Sequence, residues 1–235
     1  MVEITKKLLN HLKLLLPTQL YKRPLDGAGE RVDIYYNGNV DFEKLNTYER
    51  SHLRRYEFAR DVIPVGAACG DFACGTGYGT VMLAEKTQKV IGADIDLHVI
   101  ETIRKRYGEV HNIEFIHCDL LSLTYRATFD AIVSFETLEH FTEENIAKLL
   151  HIFHNGLKPS GQLIFSVPYL QEQTETAIAM GFHRTFHIDE PKLECWMSAA
   201  GFRPECYMYQ DYETHMITRT PKKRDFIICI ARKLT

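Results

Sequence analysis

The chain has 235 residues, 45% of them hydrophobic, and 28 Lys and Arg stand against 31 Asp and Glu for a net charge of −3. That is enough apolar sequence to bury a sizeable core, and so even a charge balance supplies no global field that would attract nucleic acid. The six cysteines (Cys69, Cys74, Cys118, Cys195, Cys206, Cys229) contain no CxxC pair and no zinc-type Cys/His spacing, which reads as free thiols in a reducing cytoplasmic setting.

In chain order, Ile4, Leu8, Leu12 and Leu15 recur at helical spacing and predict an amphipathic N-terminal helix. Asn10, His11 and Lys13 interrupt the apolar stretch and no small-residue cleavage site follows, which argues against a signal peptide. No window reaches the ~20 apolar residues of a membrane span. Residues 17–47 are rich in Gly, Asn, Asp and Tyr without periodicity, an irregular segment over the body of the protein. TYERSHLRRYEFARDVI reads as a helix, followed by a short strand ending at Asp71, a helix that continues through VMLAEK, and a buried strand KVIGADI.

The next helix carries Ile100, Ile103 and Tyr107 on one face and stops near Gly108. IEFIHCD and FDAIVSFE are two further strands, each ending in an acid. Ile146, Leu149, Leu150, Phe153 and Leu157 mark an amphipathic helix with Thr142 as its N-cap. GQLIFSVP is a fifth strand, Asp189 caps a helix containing Leu193, Trp196 and Met197, and FRPECYMYQ and DFIICIARK close the series as a strand pair with no helix between them. Strand and helix in alternation predict a doubly wound, mainly parallel α/β sheet, and the last pair predicts one antiparallel strand.

DFACGTGYGT, residues 71–80, is the stretch most charged with chemical meaning. Glycines at 75, 77 and 79 let backbone approach a ligand, and Asp94, 19 residues after Gly75, is placed to accept hydrogen bonds from a ribose. A dinucleotide site also needs both features, but its GxGxxG fingerprint requires glycine where the chain has Thr80.

Asp71-Phe-Ala-Cys-Gly75-Thr-Gly77, Asp94, Cys118-Asp119 and FDAIVSFETLEHF, in register after successive strands, together resemble the class I S-adenosylmethionine-dependent methyltransferases. The resemblance runs from about residue 48 onward and implies a Rossmann-like, seven-stranded sheet. It divides the chain into an N-terminal helix and irregular lid segment, 1–47, and a cofactor-binding domain, 48–235. It implies that backbone at Ala73, Gly75 and Gly77 lies against the methionine part of S-adenosylmethionine. Asp94, followed by Ile95, would take the ribose hydroxyls, Asp119, followed by Leu120, the adenine amino group, and Phe135 and Glu136 would line the pocket. Asp71 is expected either to assist through water or to fix the glycine loop. Ala73 stands where the family pattern has its first glycine, and AACG precedes Asp71 where bulky residues are usual.

A sulfonium methyl group is already activated, so alignment of the acceptor is the main catalytic task. A hydroxyl acceptor adds the need for a base, for which His140, His183 and His187 are the candidates. Glu136, Glu139 and His140 are spaced i, i+3, i+4, so a helical turn would align them as a divalent-cation cluster, resembling the ExxEH cluster of small-RNA 2′-O-methyltransferases. The ordinary pocket-lining reading of these residues, with no metal, is preferred. FETLEH stands where base amino-methyltransferases carry an acid or Asn before Pro-Pro-aromatic, and the basic run Pro221–Arg224 reads as a solvated turn before the last strand, so a nucleic-acid substrate is disfavoured. Gly29-Glu30-Arg31 with Glu49, His52 and Arg55–Ala59 resembles an N-terminal segment of bacterial glycan-associated methyltransferases. That points to a small-molecule acceptor, a sugar or nucleotide-sugar, with Tyr35, Tyr36 and Tyr48 as aromatic faces of a lid. A metal-assisted RNA 2′-O-methyltransferase and a non-catalytic S-adenosylmethionine-binding protein are the alternatives.

Overall fold

The structure, a computed structural model, describes residues 31–175 and 182–234. The expected N-terminal helix through Ile4 and Leu15 lies outside the described residues.

Eight strands form one sheet in the order β3-β2-β1-β4-β5-β8-β6-β7. The chain runs α1 (Thr47–Val62), β1 (Ala68–Phe72), α2 (Tyr78–Ala84), β2 (Lys89–Asp94), α3 (Leu97–Arg106), β3 (Ile113–His117), β4 (Phe129–Phe135), α4 (Glu143–Gly156), β5 (Leu157–Pro168), α5 (Glu190–Ala199), β6 (Phe202–Gln210), β7 (Ile217–Thr218) and β8 (Phe226–Lys233). Strands β1 to β5 pair in parallel, whereas β8 pairs antiparallel with both β5 and β6. The strand pair expected at the end of the sequence is present, and its second member inserts between β5 and β6. The sheet has one strand more than the seven expected, because β7 adds two residues antiparallel to Tyr209 and Gln210. Two residues of Ile-Thr carry no periodic signal, so nothing in the sequence marks them as a strand.

Local chemistry explains the element boundaries. Asn46 caps α1 reciprocally with Glu49, Asp96 caps α3, and Thr142 and Asp189 cap α4 and α5 as read from the sequence. Alternation along the strands sends Ala131, Val133 and Ile164 into one core with α1, α2 and α3, and Ile132, Leu163, Phe165 and Val167 into a second core with α4 and α5. Val32, Ile34 and Tyr36 alternate with exposed neighbours and bury themselves in the first of these cores. These three side chains pack the described stretch upstream of α1 onto the helices of that core. Strand order reverses between β1 and β4, so the crevice outside their carboxyl ends is where a ligand site belongs.

Candidate active site

A cavity of about 1130 Å³ opens at that switch point. Its floor is the turn after β1, where the chain must double back within a few residues. Ala73, Gly75 and Gly77 all have positive φ, and Gly77 is the N-cap of α2. Ala73 tolerates φ 64° in place of the glycine the pattern favours. Gly79 serves packing: a Cβ there would stand 2.1 Å from the Tyr56 ring of α1.

Asp71 does not reach the cavity. It is fully buried, accepting hydrogen bonds from Tyr56 Oη (3.1 Å) and Thr80 Oγ1 (2.6 Å). Burial pushes its carboxyl up to about 7 against the lowering effect of those two donors. These bonds tie Asp71 to α1 and α2 on either side of the glycine turn. Thr80, the residue that breaks the dinucleotide fingerprint, is one of its two donors.

Asp94 ends β2 and lines the cavity, 5% exposed. Its Oδ2 accepts from Gly75 N (2.9 Å), and its Oδ1 accepts from Asp96 N (2.9 Å). Arg31 Nη2 stands 3.3 Å from Oδ1, while Nη1 stands 3.3 Å from Asp96. Sequence reading missed this Arg31 contact, since nothing local couples positions 63 residues apart. Asp119 lies across the cavity at the end of β3, where it caps the short turn Leu120–Ser122 through Leu121 N. Ile95, 67% exposed, and Leu120 supply apolar surface beside the two acids.

Phe135 and Glu136 line the cavity after β4. Glu136 takes a left-handed φ of 48° and turns toward the protein, where Ser166 Oγ donates to its Oε1 (2.6 Å) and Arg55 Nη1 lies 2.9 Å from the same oxygen. Arg55 is itself fully buried, its guanidinium 4.3 Å from the centre of the Phe226 ring. The helical face expected for Glu136, Glu139 and His140 is therefore not formed: Leu138–His140 is a single 3-10 turn, and Glu136 lies outside it. Glu139 and His140 instead meet His183, with one ligating atom of each within 4.8 Å of the others.

His140 and His183 line the cavity, with ring centres 5.0 Å apart. His140 Nδ1 is 3.0 Å from Phe182 O, and His183 Nδ1 is 2.6 Å from Gln171 Oε1. Burial, with the nearby His140 second, pushes His183 down to about 4. His187, the third candidate base, is exposed and is not among the cavity-lining residues. Of the three tyrosines expected to face a sugar ring, Tyr48 lines the cavity. Tyr35 stacks outside it on Tyr107 at 6.2 Å, and Tyr36 is buried in the core.

An open sheet in this order, with acids at the carboxyl ends of β2 and β3 around a glycine turn, is the Rossmann-like fold of the class I S-adenosylmethionine-dependent methyltransferases. Residues 70–161 match the model of the methyltransferase domain family. The class uses S-adenosylmethionine as methyl donor. A probable S-adenosylmethionine-dependent methyltransferase of Mycolicibacterium smegmatis is 31% identical over 110 residues, 46% of this chain and 38% of that protein, so the chain spans well under two thirds of its relative's length. The 1,6-didemethyltoxoflavin-N1-methyltransferase of Burkholderia thailandensis, solved with S-adenosylhomocysteine, superposes with a TM-score of 0.60 at 19% identity over 80% of this chain and 78% of that one. The [4+2]-cyclase SpnF superposes at 0.65 with 17% identity over 92% of this chain and 94% of the other. A cyclase on the same fold means that function must be argued from the site.

Proposed function

We propose that this protein transfers a methyl group from S-adenosylmethionine to a hydroxyl or amine of a small molecule. The cavity carries the reading. It is larger than the 300–1,000 Å³ typical of a single small-ligand pocket, which leaves room for an acceptor beside the cofactor.

The residues fit the cofactor as donors and acceptors. Ribose hydroxyls and an adenine amino group are neutral donors that seek carboxylates, and Asp94 and Asp119 border the same cavity beside apolar Ile95 and Leu120. The positive-φ turn at Ala73, Gly75 and Gly77 presents backbone to the methionine end. Glu136, held by Arg55 and Ser166, shapes the wall. When bound, the cofactor supplies an electrophilic methyl group; the protein orients the acceptor in line and excludes water. With no metal ion bound, His183 and His140 are the candidate groups at the cavity to take a proton from a hydroxyl acceptor.

A small molecule is favoured over RNA because the two short basic runs are largely consumed locally: Arg104 donates to Phe115 O and Arg106 pairs with Asp33. Lys223 pairs with Asp225 (3.0 Å), and Arg224 sits over the Tyr209 ring and 3.6 Å from Glu190. A sugar remains within the acceptor class, supported by the sequence similarity around Arg31 and α1 and by Tyr48 at the cavity. Among the described residues, no helix is long and apolar enough to cross a membrane, and all six cysteines are free thiols.

Calorimetry with S-adenosylmethionine and S-adenosylhomocysteine tests the cofactor reading: binding is expected with both, and no heat or thermal stabilisation at millimolar concentration overturns it. Mass spectrometry for the gain of one CH₂ across nucleotide sugars, glycans, phenols and short RNAs tests the acceptor class. Cofactor binding with no product on any class would leave a non-catalytic binding protein.

A further inference from the structure

We propose that Glu139, His140 and His183 form a binding site for a divalent first-row transition-metal ion, open to the cavity on the acceptor side. The three residues come from two separate segments, the 3-10 turn after β4 and the extended chain before α5, yet their ligating atoms converge within 4.8 Å. Backbone hydrogen bonds join the segments: Arg184 N and Thr185 N both donate to Glu139 O, at 2.7 and 3.1 Å. All three side chains line the cavity, and Glu139 is only 1% exposed.

The hydrogen bonds of the two rings suit them as ligands. A carbonyl oxygen accepts only, so His140 must carry its proton on Nδ1 to reach Phe182 O, and His183 must do the same to reach the amide oxygen of Gln171. Each ring is then left with an unprotonated Nε2. A metal-ligating histidine that donates its other ring N–H to a carbonyl or carboxylate is the usual outer arrangement of such sites. Two imidazoles and one carboxylate favour a transition ion over magnesium or calcium, which prefer oxygen ligands alone. Tetrahedral ligands at 2.0–2.2 Å from one ion stand about 3.3–3.6 Å apart, so side-chain rotation must close any wider separation on binding.

Three protein ligands leave coordination positions free toward the cavity. The acceptor half of the inference, which rests on the methyl-transfer reading, is that an oxygen of the acceptor occupies one of them. The ion lowers the hydroxyl pKa, the proton passes to solvent, the oxygen forms its bond to the methyl carbon, and the C–S bond breaks with its electron pair retained on sulfur. No oxidant or reductant is needed. The acceptor class becomes an alcohol or phenol, preferably with a second oxygen able to chelate.

Titration of the chelator-treated full chain with Co²⁺, followed by visible absorption, tests the site without reference to the cofactor. One equivalent should bind and give d–d bands of an imidazole-carboxylate site, and acetohydroxamate, a bidentate oxygen probe, should shift them. His183→Ala and Glu139→Gln should weaken binding by more than about 100-fold, and Gln171→Leu, which removes the outer hydrogen bond, by about 10–100-fold. His151→Ala, on an exposed helix position, should change nothing. Circular dichroism of each variant separates lost ligation from lost folding. Absence of the bands, or bands unchanged in both His183→Ala and Glu139→Gln, overturns the site; bands insensitive to acetohydroxamate overturn the open positions. Failure of S-adenosylhomocysteine to bind in separate calorimetry would remove the methyl-transfer reading and leave the metal site standing.

Discussion

Asp71 departs from the usual carboxylate because it binds its proton more tightly in the folded chain than in the unfolded one. Between its ordinary 3.8 and about 7, the folded state holds a proton that the unfolded state has released. Stability should therefore fall as pH rises through that window and level off above it, the reverse of a salt-bridged acid. In Asp71→Asn this fall should be absent, so that melting temperatures of variant and parent, compared from pH 4 to 8, shift in the variant's favour as pH rises. Arg31 makes a second prediction at this scale. A carboxylate offers about four acceptor sites, and at Asp94 three are taken by Gly75 N, Asp96 N and Arg31, too few remaining for both hydroxyls of a ribose. If Asp94 receives the ribose, Arg31 must yield. Arg31→Ala removes that competitor and should tighten S-adenosylhomocysteine binding in calorimetry; weaker binding would mean that Arg31 itself contacts the ligand.

Helix α1 ties three elements together through its inward face. Tyr56 touches the Asp71 carboxyl and leaves room only for Gly79 of α2, and Arg55 reaches Glu136 beyond β4. Gly79→Ala should force the Tyr56 ring aside at a cost of about 1–3 kcal/mol. Arg55→Ala, which leaves Glu136 without its buried cation, should cost about 3–5 kcal/mol and lower Tm by about 6–20 °C, as read by thermal melts. The caps Thr142 and Asp189 and the faces of α3 and α4 were legible in the sequence because they are local or periodic. The helical face of Glu136, Glu139 and His140 was not, because spacing gives a common face only if the backbone is helical. Here Ser166 and Arg55 draw Glu136 into a left-handed conformation before the turn starts. His183 joins the cluster from 43 residues away, a contact that only the crossover after β5 creates.

The whole sheet was legible in type and nearly so in strand count, since strands buried on both faces stand out as apolar runs separated by helices. Where β8 sits was less so: the sequence suggests a hairpin with β6, and the chain places β8 between β6 and β5. It exchanges ladder contacts with both, from Gln162↔Arg232 to Pro168↔Phe226 on one side and Phe202↔Lys233 to Gln210↔Phe226 on the other. Truncation before Asp225 should abolish cooperative melting altogether, since among the described residues β8 is the strand that joins β6 and β7 to the parallel ladder; a sharp transition in the truncated chain would contradict this. The order of synthesis adds a demand of its own. A ribosome finishes β6 before it makes β8, and at about 5–20 residues per second the delay is roughly 1–5 s. For that time the edges of β5 and β6 that β8 will cover have no strand partner. β8 is thus made after both of the strands it joins, and the sheet stays open to mispairing until that strand inserts.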